Sequence, residues 1–207
     1  MTIALLAIAG VLVACDASTT GTTPLPTASA SDAAGATAAR PSVASSASSW
    51  APGSSGVSTG GSANRPGLPD PLLTPGAQNP DVTPADLGST ICKSGWTKTV
   101  RPPVSYTNAL KRRQIVQYGY TDTDLRDYEE DHLIPLEVGG APSDPRNLWP
   151  EPRSATLPDG TKVGATQKDG LENYLHARVC NGTVPLAAAQ DAFATDWVAA
   201  WEAAGRP

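Results

Sequence analysis

Apolar and polar positions divide the chain into three stretches. The opening run, MTIALLAIAGVLVAC, is apolar but too short to span a bilayer comfortably, and it matches the hydrophobic core of a secretory signal. From Asp16 to about Leu87 the pattern disappears. Ala, Ser, Thr, Gly and Pro dominate, as in STTGTTPLPTASASDAAGATAA, and such a stretch buries too little apolar surface to offset chain entropy. Residues 16–87 therefore read as a disordered tether. Periodic patterning resumes near Gly88 and continues to Pro207, about 120 residues, a normal size for one domain.

Within 88–207 the periods alternate between helical and extended. TNALKRRQIVQY, residues 107–118, reads as a helix with Ser105 or Thr107 as its cap and Gly119 just past its end. YEEDHLI reads as a strand stopped by Pro135, and EVGGAPSDPRNLWPEPR as a loop punctuated by glycines and prolines. LPDGTKV suggests a small hairpin turning at Asp159-Gly160. QKDGLENYLHARVC carries Leu171, Leu175 and Val179 on one helical stripe, with Thr166 as its cap and Gly182 beyond its end. Gly170 inside it costs about 1 kcal/mol relative to alanine. The last helix starts at Pro185 and sets Phe193, Trp197 and Trp201 four apart, a spacing that predicts core packing. Fold class is α+β.

Charge and cysteines narrow the setting. The chain has 15 Lys and Arg against 20 Asp and Glu, and the domain itself is near neutral. A strongly basic face, the footprint of tight nucleic-acid binding, is missing, whereas catalysis on a transiently bound substrate stays open. Leu12, Val13, Ala14 and Cys15 resemble a bacterial lipobox. That resemblance implies a signal peptide over 1–15, lipidation at Cys15 and export to the outer face of the cell membrane. Cys92 and Cys180 remain, an even pair in an oxidising compartment, and predict a disulfide. Closing the 88-residue loop would contribute roughly 4 kcal/mol in the chain-entropy treatment.

The candidate chemistry gathers around the two histidines. Asp131 and His132 end the strand, Asn147 lies in the following loop, and His176 falls on the helix one turn after Glu172, which is one turn after Lys168. Residues four apart share a helix face, so Glu172 and His176 can address one ion. Carboxylates with an imidazole suit Mg²⁺, Mn²⁺ or Zn²⁺, leaving His132 to take a proton from water. Arg146, Arg153 and Lys168 are the nearest cations for a substrate phosphate. Asp131 and His132, as strand neighbours, should face opposite ways, so a shared centre requires the strand to bend between them. Lys111, Arg112 and Arg113 read as a solvated helix face, with phosphate contact as the alternative. Glu129 and Glu130 read as exposed strand acids, Glu129 being placed two residues from Asp131 where it could join the cation.

DHLIPLEVGG, followed by NLWPEP and a helix of the form LExxLHxxVC, resembles the HNH or His-Me finger nucleases. The likeness is nearest to a group of exported bacterial proteins, and it covers roughly Ile91 to Trp201. It implies a small ββα-metal core with flanking helices, one divalent ion, and phosphodiester hydrolysis of DNA or RNA by a membrane-anchored monomer. Residue by residue, it makes His132 the general base, Asp131 and His176 metal ligands, and Asn147 the residue that holds the loop and orients His132. Glu172 joins the ligands by helical spacing alone. The competing expectation is a surface-binding lipoprotein that keeps the scaffold without turnover.

Overall fold

The computed structural model describes residues 66–207. The signal peptide, Cys15 and the first part of the expected tether lie outside these residues. Among the described residues no helix is long and apolar enough to cross a membrane. Four helices and two small antiparallel sheets make an α+β domain.

A short helix, α1 (Trp96–Val100), leads through Arg101-Pro102-Pro103 into α2 (Val104–Gln117). The expected start at 107 moves back because Pro103 already has a helix-entry geometry, and its carbonyl accepts from Tyr106 and Thr107. At the far end Gly119 turns left-handed with φ 68°, and Tyr120 N–H returns to the Ile115 carbonyl. That is a Schellman-type stop. One side of α2 is buried through Leu110, Lys111, Gln114 and Ile115.

The strand expected at YEEDHLI is β1 (Tyr128–His132). Its partner, β2 (Leu148–Pro152), lies in the segment expected to be loop. They pair antiparallel, with Asp131 opposite Trp149 and His132 opposite Leu148. Two prolines survive in β2 because the sheet has only two strands. Pro150 and Pro152 alternate, so their missing N–H groups fall on the same outer edge. The hairpin at Asp159-Gly160 is present as β3 (Ala155–Thr156) and β4 (Lys162–Val163).

Helix α3 (Ala165–Cys180) starts at Gly164, not at Thr166. Gly164 has φ 156°, and a Cβ there would lie 2.4 Å from the Arg153 carbonyl oxygen. Leu171, Leu175 and Val179 form the expected buried stripe. Gly170 is a close approach: a Cβ would sit 2.5 Å from the Pro207 carbonyl. Helix α4 (Leu186–Ala203) follows Pro185 and kinks at Asp196, whose carboxylate accepts from Ala199 N–H and restarts the helix. Phe193, Trp197 and Trp201 are buried, as their spacing predicts. Cys92 and Cys180 form the expected disulfide, with Cα atoms 5.5 Å apart, tying the segment before α1 to the end of α3.

The domain begins earlier than Gly88. Residues 66–87, expected as the end of the tether, pack onto the rest. Thr74 and Val82 are buried, Trp197 Nε1–H donates to the Gly67 carbonyl at 2.7 Å, and Gln78 bridges to Gly140. The segment has few apolar residues but satisfies its backbone against the Gly139-Gly140 turn, including Asn79 N–H on the Gly139 carbonyl at 2.8 Å. Composition alone cannot reveal pairing of that kind.

Candidate active site

Strand β1 is regular through His132, so successive side chains leave opposite faces of the two-stranded sheet. Glu129 and Asp131, with Trp149 and Glu151 opposite, share the face towards α3. Tyr128, Glu130 and His132, with Leu148, share the face towards α2. The bend that would bring Asp131 and His132 to one centre is not there. The pair straddles the strand end.

On the α3 face the expected cation position holds an ammonium. Lys168 is 0 % exposed, and its Nζ donates to Asp131 Oδ2 at 2.6 Å, Glu172 Oε1 at 2.6 Å and the His132 carbonyl at 2.8 Å. An ammonium has three N–H donors, and all three are taken. Lys168 therefore has nothing left for a substrate phosphate, contrary to its expected role. Burial alone would pull its pKa down, but the charges of Asp131, Glu172 and Glu151 outweigh that and hold it above its ordinary value.

Glu151 is a further member of this cluster that the sequence reading missed. It is fully buried, and neither carboxyl oxygen has a conventional partner. Burial, then the charge of Asp131, pushes its pKa well above the usual range, so it carries a proton towards Asp131. Asp131 stays ionised: burial opposes this, but Lys168 and His132 pull its pKa below the ordinary value. Glu172 is pushed up to about 8 by burial, against the pull of Lys168. The only forewarning of Glu151 is its position in the paired strand, which looks like loop from its prolines.

On the α2 face, His132 is nearly buried and its Nε2 lies 2.8 Å from the Pro142 carbonyl. A carbonyl only accepts, so Nε2 carries the hydrogen and Nδ1 is left as the basic nitrogen. Burial lowers the ring's pKa below 6.5, partly offset by Asp131 and the Pro142 bond; Lys168 and Arg101 lower it further. The ring is neutral at neutral pH. Arg101, read from sequence only as a rigid entry to the helix, is exposed and close enough to act on this imidazole electrostatically.

Asn147 is fully buried and closes the loop between the strands. Its Oδ1 accepts from Ile134 N–H at 2.9 Å, and its Nδ2 donates to the carbonyls of Ile134 at 2.9 Å and Ala141 at 3.1 Å. Its own carbonyl takes the Leu133 N–H at 2.7 Å. Asn147 thus holds the backbone that follows the histidine and makes no bond to the ring. Gly140 is required beside it, since a Cβ there would lie 1.7 Å from the Ile134 carbonyl oxygen.

The other expected residues fall elsewhere. His176 is eight residues beyond Lys168, about 12 Å along the helix, and its Nε2 lies 2.9 Å from the Ile91 carbonyl. It lines a cavity of about 360 Å³ with Trp96, Glu137 and Cys92 of the disulfide. Among the described residues, the group whose potential ligand atoms lie within 4.8 Å of one another is Cys92, His176 and Cys180. That trio can hold a metal ion by position, but both sulfurs are committed to the disulfide. Asp131, Glu172 and His176 do not form such a group, so the expected ligand set does not fit a shared divalent ion. Arg146 is paired with Asp144 at 2.6 Å, and Arg153 with Glu129 at 2.5 Å; both remain largely exposed.

Two surface readings also change. Lys111 is buried, its Nζ donating to the carbonyls of Leu125 and Tyr128, both at 2.9 Å. Glu130 hides both carboxyl oxygens without a partner, and burial pushes its pKa up to about 8. Comparison with family models, curated proteins and solved structures finds no match to this chain.

Proposed function

We propose that this is an exported, lipid-anchored HNH-like endonuclease that hydrolyses phosphodiester bonds of nucleic acid, with His132 as general base. One observation carries the reading: a neutral imidazole fixed through Nε2 by the Pro142 carbonyl, with Nδ1 left basic, at a strand end clamped by Asn147. Holding one ring nitrogen on a carbonyl sets both the tautomer and the direction of the other.

Nδ1 takes a proton from water as the water oxygen bonds to phosphorus; the bond from phosphorus to the sugar oxygen breaks, and that oxygen is protonated as it leaves. Charge on the non-bridging oxygens needs a cation, and exposed Arg101 acts electrostatically on His132 without being committed to a carboxylate. Arg146 and Arg153 each share their guanidinium with an acid. No step runs through an ion held by Asp131, Glu172 and His176, because those residues do not converge.

A second reading, a binding lipoprotein without turnover, is favoured by the burial of His132, only 4 % exposed. Incubating the purified full chain in detergent with supercoiled plasmid and with RNA separates the two. Cleavage by the wild type that disappears in His132→Ala, with thermal unfolding retained, supports the nuclease. Failure to cleave either substrate, with or without Mg²⁺, Mn²⁺, Zn²⁺ or Ni²⁺, leaves the binding reading.

A further inference from the structure

We infer that Lys168 is the resident cation of this site, doing with an ammonium what a metal ion does in a ββα-metal unit: it joins the end of the strand to the helix and positions the base. Three contacts define the role. Lys168 neutralises Asp131 from β1, donates to Glu172 on its own helix, and holds the His132 carbonyl at 2.8 Å. The last contact fixes the backbone from which the imidazole projects, which makes Lys168 a positioning residue.

The donor set excludes a second cation at this point. A hard divalent ion takes about six or more oxygens, or keeps several waters. Here one oxygen each of Asp131 and Glu172, together with the His132 carbonyl, already meets the ammonium. Nor can the lysine step aside at low cost. Its side chain is 1 % exposed, and the surrounding acids stabilise its charged form. Glu172 at the (i, i+4) position keeps the ammonium in register, and Glu151 fills the space behind Asp131 in protonated form.

The test uses the full chain in detergent and has two arms. In the first, thermal unfolding is followed by tryptophan fluorescence in EDTA and in millimolar Mg²⁺, Mn²⁺ or Ca²⁺. The wild type is expected to unfold at the same temperature throughout. Lys168→Met, which uncovers the carboxylates, is expected to gain a saturable divalent-dependent rise in Tm. A saturable rise in the wild type that Asp131→Asn removes overturns the inference, and this comparison stands even if the Met variant does not fold.

The second arm rests on the nuclease reading: cleavage is expected to persist in EDTA. Cleavage that strictly needs a divalent ion overturns the role of Lys168 and leaves the nuclease standing. Absence of cleavage in every buffer overturns the nuclease, while the unfolding arm still judges Lys168.

Discussion

At the residue scale, His132 and Glu130 share one face of β1 and titrate in opposite directions for one reason. Burial penalises the charged form of each, lowering the imidazole and raising the carboxyl. His132→Ala is expected to reduce cleavage about 10²–10⁴-fold, the usual worth of a positioned general base. The rate should fall on the acid side at a pH below the ordinary imidazole value of about 6.5. An acid limb centred above pH 7 would count against His132 as the base. For Glu130 the folded pKa of about 8 stands above its ordinary value of 4.5, so the folded state holds the extra proton. Its contribution to stability is full below pH 4.5 and is lost as the pH rises through 8. Unfolding scans across that range should show Tm falling towards pH 8, and Glu130→Gln should remove part of the fall, the remainder coming from Glu151 and Glu172. A Tm that climbs over the same interval would contradict this assignment.

At the element scale, α3 places the site because it starts where only glycine fits. Gly164→Ala should destabilise the domain by about 1–3 kcal/mol, measured by denaturant unfolding, since a Cβ would meet the Arg153 carbonyl at a strained φ. Leu175→Ala removes a fully buried side chain from the stripe and should cost about 2–5 kcal/mol. If either change is neutral, α3 is not packed as described. Helical elements were the legible part of the sequence: Leu171, Leu175 and Val179, then Phe193, Trp197 and Trp201, announce their buried faces by period alone. Strand β2 was not legible, because Pro150 and Pro152 look like loop punctuation until a two-stranded sheet leaves them an outer edge. Without β2 the inward position of Glu151 could not be seen. Helix α3 was placed correctly, but its rotation against β1 was not: Lys168 faces Asp131 and His176 does not.

At the scale of the whole molecule, two long-range ties close the domain, the Cys92–Cys180 disulfide and the packing of residues 66–87. Reduction should lower stability by up to roughly 4 kcal/mol, read as a shift in the urea midpoint between oxidised and reduced protein. Deleting residues 66–87 should lower Tm as well, because it exposes Trp197, whose indole donates to Gly67, and uncovers the Gly139-Gly140 turn. An unchanged Tm would return that segment to the tether. The sequence by itself determined the α+β class, the helical core and the disulfide. These follow from period, cysteine count and local motif, which operate over a few residues or by elimination. Tertiary structure alone decided that Asp131 and His132 part to opposite faces, that Lys168 sits between Asp131 and Glu172, and that His176 lines the cavity beside Cys92. Those outcomes depend on strand register and helix rotation, and both are settled by what packs against what across the whole domain.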